Sequence, residues 1–185
     1  MVDKDRTQVE EATERWLDHV VIGMGFCPYA APVTNSDGGL AIEVLEGSGE
    51  TLFEALLGQL KKMDVSEQPE TALLVIPSGL EDFEIYLDFL QDAEDLLVSE
   101  GYEGIYQLAS FHPQYCFDST AFDDASNFTN RSPYPMIHIL REVSLTRYLA
   151  DDEDAMKIPE RNIGKARREG YDKLQTLFDW CKSGS

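Results

Sequence analysis

Apolar residues recur at helical spacing from the start of the chain: Val9, Ala12, Trp16 and Val20, with Leu17 and Val21 beside them, predict an amphipathic helix over 7–23. It ends at Gly23-Met-Gly25, and a loop over 26–39 rich in Pro, Asn, Gly and Ala leads into Leu40-Ala-Ile-Glu-Val-Leu45, which reads as a strand. Leu52, Leu56, Leu57, Leu60 and Met63 form the stripe of a second helix, with Ser48 or Thr51 as its cap. Thr71-Ala-Leu-Leu-Val-Ile-Pro77 is a short, unbroken apolar run, the pattern of a strand buried on both faces. Phe83, Leu87, Leu90 and Leu97 mark a helix over 81–99 that Gly101 terminates, and Gly104-Ile-Tyr-Gln-Leu-Ala-Ser-Phe111 is a third strand. Ser132 as N-cap and Pro133 at the first helical position predict a further helix near 133–149. On it His138 and Arg141 share one face, while Met136, Leu140 and Val143 turn to the core. A last helix over 160–181 follows the acidic run Asp151-Asp-Glu-Asp154. The alternation predicts an α/β (or α+β) fold in one domain spanning 1–185: a small β-α-β-α-β sheet flanked by helices, with one helix before it and two after.

Charge narrows the partners. A formal net charge of -20 repels nucleic-acid backbone and anionic lipid, so neither nucleic acid nor membrane is an expected partner. The acids dominate up to about residue 157; beyond it Lys157, Arg161, Lys165, Arg167, Arg168, Lys173 and Lys182 face four acids, a basic segment expected to dock on its own acidic domain. The charged start lacks a secretion-type apolar region and no stretch is long enough to span a bilayer, which points to a soluble, cytoplasmic protein. Three cysteines, Cys27, Cys116 and Cys181, with no CxxC pair, fit free thiols in a reducing compartment.

Candidate chemistry gathers where basic residues are scarce. Between Lys62 and Arg131 the only basic side chain is His112, and the gap closes on Asp123-Asp124-Ala-Ser-Asn127-Phe-Thr-Asn130-Arg131-Ser132. An arginine among asparagines at a helix start suits a small anionic or polar ligand, because guanidinium forks and free helix N–H groups both favour negative charge. Asn127, Asn130, Arg131, Ser132, His138 and Arg141 are therefore the expected binding residues. His112 lies at the end of the third strand, where loops of α/β sheets commonly carry function. It is the expected general acid or base, with Asp124 orienting it, in a hydrolase or group transferase acting on an anionic metabolite. In a variant of that scheme Cys27 is the nucleophile. Phe26-Cys27-Pro28-Tyr29 is similar to the glutaredoxin Cys-Pro-Tyr-Cys but lacks its second cysteine, so a packed thiol is the simpler account. Cys27, His112, Cys116 and His138 could ligate a metal by type, yet their spacing matches no zinc pattern, and no metal or cofactor is expected. The competing functions are a non-catalytic ligand-binding or regulatory module using the same pocket, and a partner protein that docks a basic surface.

Several strings carry a resemblance over nearly the whole chain: Val20-Val-Ile-Gly-Met-Gly-Phe-Cys27-Pro-Tyr-Ala30, Thr71 to Pro77, Ala109-Ser-Phe-His112-Pro-Gln-Tyr115, Asn127-Phe-Thr-Asn130-Arg131-Ser132-Pro-Tyr-Pro135 and Pro159-Glu-Arg161-Asn162-Ile163. Together they resemble a bacterial domain-of-unknown-function family of uncharacterised proteins of about this length. The resemblance implies a bacterial, cytoplasmic protein and supplies no activity, substrate or catalytic assignment. The family pattern has Gln where Cys116 stands and a basic residue where Ala31-Pro32 follow the cysteine string, which argues against a ligating Cys116 and against a basic activator for Cys27.

Overall fold

The computed structural model describes residues 3–149 and 157–184. Helix α1 (Asp3–Trp16) runs directly into a π-helical turn (Leu17–Ile22), and α2 (Ala30–Thr34) precedes strand β1 (Leu40–Val44). Then come α3 (Glu50–Asp64), β2 (Thr71–Val75), α4 (Phe83–Ser99) and β3 (Tyr106–Phe111). A 3-10 helix (Ala125–Thr129) leads to β4 (Met136–Arg141), α5 (Glu142–Leu149), α6 (Ile158–Glu169) and α7 (Tyr171–Ser183). This is an α/β fold. The predicted acidic separator at 151–154 lies outside the described residues.

The four strands stand in the order β1-β2-β4-β3, with β1 and β2 parallel and β4 antiparallel to both its neighbours. The α4 crossover thus leaves a strand-wide gap between β2 and β3, which β4 fills. Alternation along β2 explains its unbroken apolar run: Leu73 and Val75 pack under α1 and α7, while Ala72 and Leu74, with Ile76 just beyond the strand, pack under α3 and α4. Each such fully buried Leu or Val contributes roughly 1.5–3 kcal/mol. The Tyr86 hydroxyl ties α4 to the sheet by donating to Met136 O (2.8 Å) and accepting from Phe111 N (3.0 Å). Asp82, rather than Glu81, starts α4, its carboxylate accepting from Glu84 N (2.9 Å) and Ile85 N (3.2 Å). Gly49 holds the cap position of α3, with no side-chain cap; Thr51 instead bonds the Ser48 backbone on both its N–H and its carbonyl.

Two helical expectations are corrected. Residues 136–141 form a central strand rather than the first turns of a helix, and only 142–149 are helical. The prolines explain the strand: a residue before proline is driven to extended backbone, so Pro133 and Pro135 disfavour helix at Ser132 and Tyr134. The expected cap at Ser132 has no helix to cap. In a strand, moreover, His138 and Arg141 fall on opposite faces rather than on one. The expected helix over 160–181 is broken at Gly170, whose φ of 84° is a left-handed geometry suited to glycine, and α6 and α7 pack separately. The basic segment does dock on the protein: α7 lies on α1, and α6 on the 3-10 helix. Among the described residues no helix is long and apolar enough to cross a membrane.

Candidate functional site

The polar loop that dominates the sequence is spent on holding itself together. Asn127, fully buried, accepts from Phe117 N (3.1 Å) and the Thr120 hydroxyl (2.8 Å) through Oδ1, and donates from Nδ2 to Ala121 O (2.9 Å) and Phe122 O (3.3 Å). Arg131, only 2% exposed, donates from Nε to Tyr115 O (3.1 Å) and from Nη2 to Phe122 O (2.7 Å). Its guanidinium carbon lies 4.5 Å from the Phe122 ring centroid and 4.8 Å from that of Phe128, so the otherwise exposed Phe122 roofs a buried cation. Among the described residues no carboxylate pairs with it. Its carbonyl accepts from Trp16 Nε1 at 2.8 Å, and the buried Ser132 hydroxyl donates to Tyr134 O. These are the satisfied partners that buried polar groups require.

The expected catalytic and anion-binding side chains are dispersed. His112 is fully buried, with Phe83 and Tyr86 against its ring. Gln114 N–H donates to its Nδ1 (3.0 Å), so Nε2 carries the proton and donates to Leu80 O (3.0 Å). Burial pushes its pKa below the ordinary range, against the opposing effects of the Leu80 bond and the Asp82 charge. Asp124 caps the 3-10 helix through Ser126 N (2.8 Å) and is gripped by Arg167 of α6 at 3.1 and 2.8 Å. Those bonds, led by Arg167, hold its carboxyl well below the usual carboxylate range. His138 faces the π turn, at Leu17, and α2, and its Nε2 meets the Thr71 hydroxyl at 2.5 Å while that hydroxyl donates to Ile139 O at 2.6 Å. Burial pushes its pKa down to about 4, and the space beside it, ≈ 20 Å³, has room for about one water.

Arg141 sits at the other end of β4 from Met136, the end that Arg131 and Ser132 lead into. It stacks on Tyr106, donates to the Tyr106 hydroxyl (3.0 Å), and gathers the carbonyls of Met63, in the last turn of α3, and of Ser66 (2.6 Å) and Pro69 (3.3 Å) beyond it. Both expected arginines are staples of loops. Among the described residues no three His, Cys, Asp or Glu side chains converge as a metal site; in particular His112 faces α4, while Cys27 and His138 belong to the opposite layer.

Space for a ligand lies elsewhere, in a cleft of ≈ 300 Å³ between the first turns of α6, the segment after the π turn and the end of β3. Helix α6 presents Ile158, Pro159, Asn162 and Ile163; across from it stand Val21, Phe26 and Cys27; Phe111, Phe117, Thr129 and Asn130 complete the wall. The π turn shapes this wall, since Gly23 N bonds back to Asp18 O (2.9 Å) and releases the chain toward Phe26. Gly23 must be glycine there: an added Cβ would lie 2.6 Å from His19 O.

Asn162 is 8% exposed, and its Nδ2 donates to Phe26 O at 2.5 Å, which fixes the amide orientation. Its Oδ1 is buried and has no hydrogen-bond partner among the described residues. Asn130 bonds Ser110 O through Nδ2 (3.1 Å) and accepts from Thr129 through Oδ1 (3.1 Å). Burial raises the Cys27 thiol pKa, partly offset by the backbone N–H groups of Tyr29 and Ala30. The cleft can therefore hold an apolar body, and among the described residues no charged side chain lines it.

Of the side chains singled out in the sequence, Cys27 and Asn130 line this cleft. Asn162 was passed over as a site residue, although one signal marked it: a polar side chain on the stripe Ile158, Asn162, Ala166 of an otherwise charged helix.

The chain belongs to the family described as Protein of unknown function (DUF1415), whose pattern it matches over residues 8–176. No match emerged among curated proteins or among solved structures.

Proposed function

We propose that this protein binds a small, mostly apolar organic ligand in the α6 cleft, as a binding or regulatory module rather than as a catalyst. One observation carries the reading. Asn162 lines a cleft at the low end of the range for small-molecule sites, ≈ 300 Å³, and its Oδ1 is a buried acceptor that has no partner among the described residues. Leaving such an atom unsatisfied costs roughly 1–3 kcal/mol, which a ligand N–H or O–H would remove. Binding is favoured over hydrolysis or transfer because the described residues of the lining offer no ionised acid or base, and because burial raises the pKa of the Cys27 thiol. His112 and Asp124, with their internal partners, are assigned to the scaffold of this reading. Nucleic acid and membranes have no part in it, since the charge of -20 opposes both, and free Cys27, Cys116 and Cys181 support a reducing, cytoplasmic setting.

Filling the cleft tests the proposal. A library of small aromatic fragments, screened by ligand-observed NMR, should give hits on the wild type that lose at least about tenfold in affinity on Ile163→Trp, at an unchanged melting temperature. Hits that bind both proteins equally, or an absence of hits, would remove the assignment.

A further inference from the structure

Two cations flank one wall of the cleft. Arg161 and Lys165 lie one turn apart on α6 and converge on the same backbone: Arg161 Nη2 reaches Gly25 O at a long 3.5 Å, and a methyl group placed on Gly25 would lie 4.0 Å from Lys165 Nζ. Gly25 immediately precedes Phe26 and Cys27, and Arg161 immediately precedes Asn162, so both cations flank the wall that those residues form. The protein has 35 acidic against 15 basic side chains, and Arg6, Arg15, Lys62, Arg147, Arg167 and Lys173 each have a carboxylate within 4 Å. Among the described residues Arg161 and Lys165 have none, as is true also of Lys61, Arg131, Arg141, Arg168 and Lys182, although Lys165 acts at longer range on Glu169, whose ion pair is with Lys173. The first turn of α6, through Ile158 and Pro159, also turns its positive end toward the cleft.

We propose that the ligand of the cleft is a carboxylic acid. Its apolar body lies among Phe26, Phe111 and Phe117, an interior hydroxyl or amide N–H donates to Asn162 Oδ1, and its carboxylate is held by Arg161 and Lys165. This rests on the ligand-binding reading above and adds the charge of the ligand to it. An excess of acids elsewhere makes the two cations selective: anions are repelled from most of the surface and attracted here.

The test uses three matched probes on the full chain: 4-hydroxyphenylacetate, phenylacetate, which lacks the hydroxyl, and 4-hydroxyphenylethanol, which lacks the charge. Each is titrated by ¹H–¹⁵N NMR into the wild type, into Arg161→Gln/Lys165→Gln and into Ile163→Trp. The hydroxy acid should bind the wild type tightest. The double variant should weaken it roughly tenfold or more while leaving the alcohol unchanged, and added salt should weaken the acid alone. If acid and alcohol bind alike, or the double variant makes no difference, and Ile163→Trp still abolishes binding, the cleft stands and the carboxylate assignment falls. If no probe binds, or Ile163→Trp leaves binding intact, both readings fall.

Discussion

Replacing Arg131 by alanine is expected to destabilise the fold rather than to impair a ligand site. The guanidinium makes two charge-assisted bonds, to Tyr115 O and Phe122 O, and lies between the Phe122 and Phe128 rings. Each bond contributes roughly 1.5–3 kcal/mol, and the ring contacts about 1–2 kcal/mol. Partial collapse of Phe122 into the space would recover some of that, leaving a net loss of about 4 kcal/mol against a total stability of roughly 5–15 kcal/mol. Urea unfolding followed by tryptophan fluorescence is the assay, because Trp16 bonds the Arg131 carbonyl and reports on this region. With a slope of about 2 kcal/mol/M, the midpoint should fall by roughly 2 M. Arg131→Lys should recover less than half, since one ammonium does not reproduce a planar fork aimed at two carbonyls. A midpoint shift under about 0.5 M for Arg131→Ala would refute the reasoning and return Arg131 to the role of a ligand anchor.

His138 should make stability fall with acid: its folded pKa, about 4, lies below its ordinary 6.5, so the unfolded chain takes up the proton first. The loss begins below pH 6.5 and reaches about 3 kcal/mol near pH 4; wild-type and His138→Gln stability curves should diverge over that window, and parallel curves would contradict it. Asp124→Ala should cost about 1–2 kcal/mol by chemical denaturation, chiefly through the lost cap, whereas Arg167→Ala, at the exposed end of the pair, should cost less than Asp124→Ala. Cys27 should alkylate slowly at neutral pH, faster as pH rises, and more slowly again with the cleft occupied, as peptide mass spectrometry would read; rapid modification at pH 7 would point to an activated thiol instead.

The elements legible in the sequence were those whose burial pattern was local. The unbroken run of β2 and the stripe of α3 follow from period alone, and so does most of α4. Strand β4 is hard to read because Ser132-Pro133 mimics a helix start, while the stronger information, extended backbone enforced before two prolines and β-branched Ile137 and Ile139, points to a strand. A helix there joins His138 to Arg141 and thereby builds an anion pocket that the sheet divides. For Arg131, composition does not distinguish an arginine that binds a ligand from one that binds its own carbonyls. The cleft depends on α6 meeting the segment after the π turn, some 135 residues apart (Asn162 to Phe26 O is a separation of 136), and no local pattern encodes such a meeting. Cys27 and Asn130, which line the cleft, carry residue types that draw notice in the sequence, whereas Asn162 is one amide on a charged helix.

The most direct test of the cleft is the side-chain amide of Asn162 in a ¹H–¹⁵N spectrum, followed as 4-hydroxyphenylacetate is added. Asn127 is the internal control, since its amide is buried with every partner internal. The account predicts saturable movement of the Asn162 resonances, smaller movement at Asn130, and none at Asn127. Binding that leaves Asn162 unmoved, or a titration that moves nothing at the cleft, would contradict it.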